Sequence, residues 1–343
     1  MKTFVTGANG FIGSNLVRCL LSRGHQVKGL VLYGTDISNI QNTGCEIVYG
    51  DIRKVSGFEK HLEGIDVVFH LAAKVSDWGK WRDFNEINVE GSKSLVESCI
   101  KKGVRKFVFI SSLAVHKPRG YENGDESAPR DNKDFPYALS KIIIEEFLEE
   151  CHEKGRIEAT IIRPGVFPFG PEDMTSFYKI ARAMEKGFFG YVNGGRALLC
   201  TAYVENLVEG ISLAGEKNEA NGKVYIIGDN RKITWKELTE IFAKHLNVSP
   251  PKISLPYFLA KGLAMLVEGV YKALSIDSPP PLTDYRVSLV AKDFFFSSER
   301  AMKELGYLPK VSIEEGARRT VEWFRKRKNL EGQMYFGKNL KRR

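Results

Sequence analysis

A glycine-rich turn near the N-terminus limits the folds that this chain can adopt. Residues 2–6 have the composition of a β-strand and residues 11–22 have the apolar period of an amphipathic helix, so the turn joins a strand to a helix. We expect Gly7 to allow a tight bend, Gly10 to let the backbone approach a pyrophosphate at the helix N-terminus, and Gly13 to let the helix pack closely on the strand. A plain strand-to-helix turn is the simpler interpretation, but its position at the start of a βαβ unit favours dinucleotide binding.

Short β-branched runs alternate with helical stretches through the first half of the chain. We expect strands at residues 2–6, 26–32, 46–49, 67–70, 106–111 and 159–163. The amphipathic stretches between them predict helices at residues 11–22, 84–102 and 137–153. This order predicts an α/β fold with a doubly wound parallel sheet that helices cover on both faces.

The alternation loosens after Arg163, Pro164 and Gly165. Further on we expect a strand at residues 224–227 and helices at residues 235–245 and 255–274, separated by proline and glycine clusters. The C-terminal part is therefore predicted to be a smaller α/β lobe. The expected division is a nucleotide-binding domain at residues 1–165, to which later segments can return, a mainly substrate-binding lobe at residues 166–329 and a basic tail at residues 330–343.

The positive charge of the chain is concentrated at its C-terminal end. The 343 residues have a net charge of +9, and residues 318–343 contribute +8 of it through ten lysines and arginines and two acids. The rest of the chain is nearly neutral, so we expect no nucleic-acid partner. A basic tail is usually solvated, although it is also a hint of contact with a membrane surface.

The cysteines and the N-terminus indicate the cellular compartment in which we expect the protein. Five cysteines are scattered without CxxC spacing, which predicts neither a disulfide framework nor a metal site and is typical of a reducing compartment. The first predicted strand begins at Lys2, so we expect no targeting peptide before the fold. A cytoplasmic location is the expectation.

A tyrosine and a lysine four residues apart begin the third predicted helix. Tyr137 and Lys141 share a helix face, so the ammonium group should lie beside the phenol and lower the pKa of Tyr137. Ser112 ends the fifth predicted strand and should reach the same cleft, where it could hydrogen-bond a substrate oxygen. Such a pair on an amphipathic helix is usually a packed ring under a lysine stem. The order of these residues after the glycine turn favours catalysis by Ser112, Tyr137 and Lys141.

Two further strand ends carry candidate nucleotide contacts. Asp51 follows the third predicted strand, where it could accept a hydrogen bond from an adenine amino group or cap a helix. After the fourth strand, the small residues Ala72 and Ala73 could lie against the nucleotide or simply pack in the core. Both strand ends belong to the edge of a parallel sheet where ligands bind.

Together these residues resemble the extended short-chain dehydrogenase/reductases. The resemblance covers nearly the whole chain and is carried by residues 6–13, 50–51, 70–73, 112, 137, 141 and 163–166. It implies a Rossmann domain for NAD(P), hydride transfer at the nicotinamide, and contacts of Lys141 with the nicotinamide ribose and of the backbone after Pro164 with the carboxamide. The cofactor contacts that it implies are Gly7, Asn9, Gly10, Phe11, Ile12, Gly13, Asp51, Ile52, Leu71, Ala72, Ala73, Tyr137, Lys141, Pro164 and Val166.

Several later segments are similar to the 3β-hydroxysteroid dehydrogenase branch of that superfamily. They are residues 202–207, 280–283, 295–297, 305–309 and 320–323. Sugar-nucleotide relatives usually carry an Arg-Asp pair where this chain has Leu199 and Cys200, so a lipophilic substrate is implied. Arg196 nearby could still bind a diphosphate, because an anion needs charged donors.

The expected function is NAD(P)-dependent interconversion of a secondary alcohol and a ketone on a hydrophobic, steroid-like or long-chain substrate. In oxidation, Tyr137 would take the hydroxyl proton while Ser112 fixes the oxygen. A sugar-nucleotide 4-epimerase or dehydratase is the alternative. A non-catalytic nucleotide sensor is a third interpretation, which the intact catalytic set disfavours.

The choice between NAD and NADP depends on the end of the second predicted strand. Relatives that prefer NAD commonly have an acidic residue there, whereas this chain has Val31, Leu32 and Tyr33. No acid repels a 2′-phosphate and Lys28 is not far away, so we expect a slight preference for NADP. The resemblance also implies a homodimer through two long helices.

Three other features could bear on the substrate. Trp78 and Trp81 could form an apolar wall of the cleft or close the core. Asn88 matches a family position, and a structural hydrogen bond to backbone is its expected role. The broad apolar face of residues 255–274 should close the substrate lobe; if that face is exposed near the cleft, it could rest on a bilayer and admit a lipid. The charged residues of this segment argue against a membrane-spanning helix.

Overall fold

The computed structural model describes the backbone of residues 1–340 and the side chains of residues 1–329. The side chains of the predicted basic tail, residues 330–343, therefore lie outside the described part of the chain. The strands are β1 (Lys2–Thr6), β2 (Gln26–Val31), β3 (Glu46–Tyr49), β4 (Val67–His70), β5 (Lys106–Ile110), β6 (Tyr121–Gly124), β7 (Glu158–Pro164), β8 (Phe167–Phe169), β9 (Gly190–Val192), β10 (Leu198–Leu199), β11 (Thr201–Tyr203), β12 (Lys223–Ile227), β13 (Ile233–Thr234), β14 (Ile253–Leu255) and β15 (Phe294–Phe296).

Helices connect these strands. They are α1 (Phe11–Ser22), α2 (Trp81–Phe84), α3 (Gly91–Lys101), α4 (Pro136–Glu153), α5 (Phe177–Glu185), α6 (Val204–Glu216), α7 (Trp235–Leu246), α8 (Tyr257–Ala273), α9 (Asp284–Ala291), α10 (Glu299–Leu305) and α11 (Ile313–Leu340). A π-helical segment, Asn85–Glu90, joins α2 to α3, and short 3₁₀ segments such as Ile52–Gly57 and Leu113–Val115 follow strands.

Seven strands form the central sheet in the order β12–β7–β5–β4–β1–β2–β3, and each neighbouring pair is parallel. The predicted doubly wound parallel sheet is confirmed. The strand order reverses between β1 and β4, so their carboxyl ends diverge and open a crevice at that edge of the sheet. The glycine turn after β1 lies at this edge.

Helices cover both faces of the central sheet because adjacent residues of each strand point in opposite directions. Val5 of β1 is fully buried on the face covered by α1 and α6, where it shares a core with Leu16. Phe4 is fully buried on the other face, in a core with Leu95 of α3 and Ile144 of α4. Strands that are apolar on both faces account for the nearly continuous hydrophobic runs in the sequence.

The later chain contributes to the central sheet and also builds smaller layers. β12 pairs with β7, and α6 packs beside α1. The remaining strands form the sheets β13–β10–β15–β6, β11–β8 and β14–β9. A separate core of α5, α7 and α11 contains the buried rings of Phe177, Phe242 and Phe324. The division of the chain at residue 165 stays a prediction.

The apolar side of α8 faces outward, so the expected core packing of residues 255–274 is wrong. The buried residues of α8 are Ala260 and Ala264, which lie against Val287 of α9. Large side chains such as Leu266, which is 66% exposed, point away from the protein. Small alanines allow α8 and α9 to approach closely, and that contact turns the bulky side chains toward solvent. Among the described helices, none has the length and apolar character needed to cross a bilayer.

Candidate active site

The glycine turn between β1 and α1 is packed tightly at two of its three glycines. Gly7 has a φ of +65°, and a Cβ atom there would lie 3.1 Å from the Cα atom of Ala72. A Cβ atom on Gly13 would lie 2.1 Å from the carbonyl oxygen of Gly7, which leaves no room for a side chain. A Cβ atom on Gly10 would meet the same oxygen at 3.2 Å, and apart from its chain neighbours no other heavy atom of the described residues would lie within 4 Å. The space in front of Gly10 is therefore open.

Helix α1 begins beside this open space. The first-turn N–H groups of a helix have no acceptor within the helix, and the first turn of α1 contains no acidic residue. The side chains of Phe11 and Ile12 pack against the core of α1 and α6, so these residues present their backbone to the space. A phosphate group would find N–H donors and the positive end of the helix dipole there. The turn therefore fits the pyrophosphate of a dinucleotide.

Asn9 organises the loop that follows β2. Its side-chain nitrogen donates to the Thr35 hydroxyl at 3.0 Å and to the Asp36 carbonyl at 2.9 Å. The backbone carbonyl of Asn9 accepts from the side-chain amide of Asn39 at 2.9 Å. The amide of Asn9, predicted to contact a cofactor, is thus already bonded to protein groups on this loop.

The residues that follow β2 are apolar or aromatic and exposed. Leu32 and Tyr33 follow the strand, and the ring of Tyr33 stacks on Tyr49 with 5.0 Å between ring centroids. Lys28 lies earlier in β2, where its Nζ atom is 3.5 Å from a carboxylate oxygen of Glu46. Glu46 balances the charge of Lys28, so Lys28 gives no support to a preference for NADP.

The end of β4 lies against the glycine turn. The Thr6 hydroxyl accepts from the backbone N–H groups of Leu71 and Ala72 at 3.1 and 3.0 Å, and it also bonds the ring of His70. Ala73 follows directly. The structure therefore brings residues 71–73 beside Gly7, as expected for two strand ends at one crevice.

Asp51 caps the 3₁₀ segment that follows β3. Its carboxylate accepts from the backbone N–H of Arg53 at 2.9 Å and from the Arg53 guanidinium at 2.9 Å. The guanidinium hydrogen bond lowers the pKa of Asp51. The capping alternative is therefore observed, and an adenine contact of Asp51 stays a prediction. The side chain of Ile52 is buried in the core beside Gly91, and its contact with a cofactor stays a prediction.

β5 and α4 bring Ser112 and Tyr137 together. Ser112 follows β5, and its oxygen accepts from the Ala114 N–H at 3.1 Å, which leaves the hydroxyl proton available to another acceptor. Ser112 lies beside Tyr137, and its hydroxyl favours a lower pKa of the phenol. The Tyr137 ring packs on Phe84 and Phe135 with centroid separations of 6.5 and 5.9 Å. The ring of Tyr137 is thus held by its aromatic neighbours, with its hydroxyl near Ser112.

Lys141 is buried one turn after Tyr137. Its Nζ atom lies 5.9 Å from the centre of the Tyr137 ring and donates to the Ile110 carbonyl at 2.7 Å. Burial lowers the pKa of Lys141 to about 7. Burial also raises the pKa of Tyr137 to about 12, although the hydrogen bond from Ser112 opposes this rise. The expected lowering of the Tyr137 pKa by Lys141 is wrong for this structure, because burial of the phenol raises this pKa instead.

A buried ion pair fixes α4 on the sheet one turn beyond Lys141. Glu145 and Arg163 are almost fully buried, and their carboxylate and guanidinium atoms approach to 2.6 Å. Ser111 also donates to Glu145. Burial opposes ionisation of Glu145, but the Arg163 charge prevails and lowers the pKa of this carboxyl group. The pair joins α4 to β7 and to the residue before Ser112, so it positions the candidate catalytic groups.

The segment after β7 passes close to the small sheets. Pro164 ends β7, and the Gly165 N–H donates to the Ile227 carbonyl at 2.8 Å. A Cβ atom on Gly165 would lie 2.7 Å from the Thr201 carbonyl oxygen. Val166 is half-buried between two cores. These residues follow a strand at the same edge as Ser112, and their contact with a nicotinamide stays a prediction.

The positions at which sugar-nucleotide relatives usually carry charged residues are buried here. Leu199 is fully buried, and the Cys200 thiol, also buried, lies 3.3 Å from the Phe296 carbonyl. Neither side chain supplies a positive charge, and burial raises the pKa of the Cys200 thiol to about 12. Arg196 is exposed and, with Lys292, borders a cavity of about 950 Å³.

Asn88 joins the loop after β4 to α4. Its side chain is buried, accepts from the Lys74 N–H at 2.7 Å and donates to the Lys74 carbonyl at 3.0 Å. Its amide also lies 3.0 Å from the Ser140 hydroxyl. The predicted hydrogen bond of Asn88 to backbone is confirmed, and it fixes the loop beside the helix of Tyr137.

The sequence did not single out the aromatic residue that α9 brings to Tyr137. The Tyr285 ring lies 4.3 Å from that of Phe135, and burial together with nearby Tyr137 raises the pKa of Tyr285. The Trp78 indole N–H donates to the Ile276 carbonyl at 3.0 Å. The loop after β4 and the α8–α9 segment therefore meet above the cleft. No motif marks Tyr285, because its proximity to Tyr137 arises only from the tertiary fold.

A family model and named relatives support this geometry. The model of the NAD dependent epimerase/dehydratase family matches residues 3–228, which run from β1 to the end of β12. The chain is 27% identical over 318 residues to the 4-hydroxy-2-methyl-3-oxo-4-farnesyl-3,4-dihydroquinoline-1-oxide ketoreductase of Stigmatella aurantiaca, covering 92% of this chain and 94% of that protein. It is 30% identical over 335 residues to the sterol-4-alpha-carboxylate 3-dehydrogenase, decarboxylating, of Mus musculus, covering 94% of this chain and 91% of that protein.

Among solved structures, the fold is similar to that of the UDP-glucose 4-epimerase of Thermus thermophilus in complex with NAD. The TM-score is 0.73 at 26% identity, and the match covers 95% of this chain and 99% of that chain. A ketoreductase and a sterol dehydrogenase are thus similar to this chain in sequence, and a sugar-nucleotide epimerase is similar to it in fold.

Proposed function

Because the chain belongs to the NAD-dependent epimerase/dehydratase family, we propose that it interconverts a secondary alcohol and a ketone on a hydrophobic, steroid-like or long-chain substrate. It is an NAD-dependent oxidoreductase of the extended short-chain dehydrogenase/reductase type. The observation that carries the proposal is the placement of Ser112 beside Tyr137, with Lys141 behind the Tyr137 ring, at the same sheet edge as the glycine turn.

The proposed roles follow from the positions of the side chains. A bound NAD(P) supplies or accepts the hydride. The Ser112 hydroxyl has a proton to donate to a substrate carbonyl oxygen, and Tyr137 gives or takes the proton at that oxygen. A phenol with a pKa of about 12 is protonated near neutral pH, which suits ketone reduction. Oxidation requires the phenolate, and Lys141 is the cation placed to stabilise it.

The hydrophobic substrate rests on the side chains that surround the cleft. Phe135 and Tyr285 provide aromatic surface near Tyr137. Trp78 lies in the loop that meets the α8–α9 segment. Leu199 and Cys200 are buried and uncharged, so these two positions offer no charged donor to a diphosphate. The names of two relatives mention a farnesyl quinoline oxide and a sterol carboxylate. Both of these molecules have large apolar parts.

A sugar-nucleotide 4-epimerase or dehydratase is the second candidate. The similarity to a UDP-glucose 4-epimerase favours it, and Arg196 and Lys292 are the cations that could serve a diphosphate. Such an enzyme uses the same hydride step transiently and returns the cofactor to its starting state. Net consumption of cofactor therefore separates the two candidates.

The preference between the two cofactors is proposed on one feature. The residues after β2 are Leu32 and Tyr33, so no carboxylate there repels a 2′-phosphate. We keep the slight preference for NADP on this ground alone, since Lys28 is paired with Glu46. Titration with NADH and NADPH measures the preference directly.

The assembly and location are proposed from the sequence. We propose a homodimer through two long helices, as the family resemblance implies. We propose a cytoplasmic location because all five cysteines are free thiols.

Mass spectrometry of the ligands that co-purify with the protein tests the proposal. We expect a nicotinamide dinucleotide together with a lipid or another hydrophobic molecule. The Gly10→Val variant, purified in the same way, should lose the dinucleotide because its side chain fills the space in front of α1. A bound UDP-sugar with NAD would support the second candidate instead.

A further inference from the structure

Helix α8 turns a large apolar surface toward solvent. Phe258 is 71% exposed, Leu266 is 66% exposed and Leu274, just after the helix, is 67% exposed. We call the exposed large side chains of this helix and its C-cap the α8 face; they are Phe258, Leu259, Leu263, Met265, Leu266, Val270 and Leu274. An exposed patch of this extent marks an interaction surface.

The helical period shows that the α8 face is continuous and uncharged. At about 100° per residue, its members and the intervening Gly262 and Gly269 occupy one side of the helix. Lys261, Glu268 and Lys272 lie together along one border of that side. The opposite side contacts the protein through small alanines. This arrangement reverses the usual orientation of an amphipathic helix on a globular protein, and it is typical of a helix that lies at a membrane surface.

Exposed apolar residues of the adjoining sheet extend the α8 face. β14 leads directly into α8, and its residues Ile253 and Leu255 are exposed. Ile253 pairs with Gly190 of β9, and Phe188, two residues before Gly190, is 81% exposed. Exposed apolar residues are therefore found from the end of α5 through the β14–β9 sheet to α8.

Positive charge lies beside this surface. Lys186 and Lys252 are near Phe188 and Ile253 in the chain, Lys186 fully at the surface. Lys328 of α11 lies at the same place, because its Nζ atom is 2.8 Å from the carboxylate of Glu185 of α5. The Phe188 N–H bonds the Ala183 carbonyl at 2.9 Å, so Phe188 lies within one turn of that contact.

Each acidic residue near the α8 face has a lysine or a backbone N–H as its partner. Residues 256–292 contain four lysines and arginines and three acids. Asp284 is 3.3 Å from Lys261, Asp277 is 3.5 Å from Lys80, and Glu268 accepts from the backbone N–H of Asp284. Glu185 balances the charge of Lys328. With the exposed Lys186 and Lys252 close by, the surroundings of the apolar surface are basic overall, which complements an anionic surface.

We propose that the α8 face and its extension dock on an anionic phospholipid bilayer, with α8 parallel to the membrane plane. Apolar side chains would enter the boundary between headgroups and acyl chains, while the bordering lysines reach the phosphates. The pattern favours a bilayer over a second copy of the chain, because the lysines that edge the surface would repel their symmetry mates.

The docked surface adjoins the roof of the cleft. Thr283 and Arg286, at the start of α9, both bond Asp77 in the loop after β4, each at 2.7 Å. Tyr285, between them, reaches the aromatic cluster of Tyr137. If the proposed function holds, on which this step rests, a substrate dissolved in the membrane has a short path into the cleft.

Vesicle flotation of the full chain tests the docking. We expect the protein to float with vesicles of phosphatidylcholine and phosphatidylglycerol, and to float less with phosphatidylcholine alone or in high salt. The triple variant Phe258→Gln, Leu263→Gln, Leu266→Gln should bind at least about tenfold more weakly, because it removes three exposed apolar side chains from the buried area. Leu308→Gln is the matched control, since Leu308 is an exposed leucine outside the α8 face. Unchanged melting temperatures show that the variants fold.

The results of this experiment show whether the α8 face binds a bilayer or a second copy of the chain. Wild-type protein that stays in the soluble fraction with both vesicle types at low salt overturns the proposal, as does a triple variant that binds as tightly as wild type. A triple variant that instead converts a dimer to a monomer in sedimentation, without any vesicle binding by wild type, assigns the face to a second copy. Vesicle binding needs no turnover, so Tyr137→Phe should float like wild type, and failure of the proposed activity leaves this test intact.

Discussion

Lys141 is a buried cation whose ordinary pKa of 10.5 falls to about 7 through burial. The unfolded chain therefore keeps this proton up to about pH 10.5, whereas the folded protein releases it near pH 7. Between these values the unfolded state binds more protons, so the contribution of Lys141 to stability rises with pH. We predict that the melting temperature of wild type increases relative to that of Lys141→Met from about pH 7 to about pH 10. If the melting temperatures of the two proteins change with pH in the same way, Lys141 is not desolvated.

Tyr137 carries the proton in the proposed reaction. In Tyr137→Phe the ring packing on Phe84 and Phe135 is kept and only the hydroxyl is lost. We predict a loss of about 10² to 10⁴ in kcat, the usual contribution of a general acid or base, with cofactor affinity close to wild type. Steady-state kinetics and calorimetric titration measure the two quantities. Tyr257→Phe serves as a matched control, and turnover of Tyr137→Phe within a few-fold of wild type would remove Tyr137 from the mechanism.

At the residue scale, the sequence indicates which residues meet but not their ionisation. The spacing of Tyr137 and Lys141 and the strand-end position of Ser112 are enough to predict that the three lie together. The pKa values of Tyr137 and Lys141 could not be predicted, because they depend on how completely the fold excludes water from each group. Tyr285 was not predicted for a related reason, since only the tertiary fold brings it to Phe135.

The strand–turn–helix element at the N-terminus gives a prediction with an internal control. A methyl group on Gly13 would overlap the Gly7 carbonyl, so we expect Gly13→Ala to destabilise the fold by about 1–3 kcal/mol. Gly10 has an ordinary φ of −73° and open space in front of it. We therefore expect Gly10→Val to keep its melting temperature and to bind both NADH and NADPH at least about tenfold more weakly. Unchanged affinity of folded Gly10→Val for both cofactors would mean that the turn does not hold a dinucleotide.

At the element scale, periodicity locates helices better than it orients them. The predicted helix at residues 255–274 matches α8 closely, yet its apolar side faces solvent. Ala260 and Ala264 fit the narrow contact with α9. A prediction that buries the largest apolar residues of a helix does not find a contact made by alanines. The predicted helix at residues 84–102 is interrupted by the π-helical segment Asn85–Glu90, where Asn88 bonds the backbone of Lys74. Such local hydrogen bonds leave no periodic signal.

At the scale of the whole molecule, the central sheet was the most predictable part. Its strands are buried β-branched runs between turns, and the predicted bounds of β3 and β4 are those observed. Strands of two or three residues, such as Leu198–Leu199 and Ile233–Thr234, are too short to show a period. They form through contacts with distant parts of the chain, so the smaller sheets of the C-terminal part were not predicted.

The central claim is that hydride passes between a nicotinamide cofactor and the carbinol carbon of a hydrophobic substrate. Incubation with reduced NAD or NADP deuterated at the transferring position, together with steroid and long-chain ketones, tests it by mass spectrometry of the product. We predict a product alcohol that carries one deuterium on the carbinol carbon with wild type, and little labelled alcohol with Tyr137→Phe. Epimerisation of a UDP-hexose without net consumption of cofactor, and without deuterium in any hydrophobic alcohol, would contradict the claim.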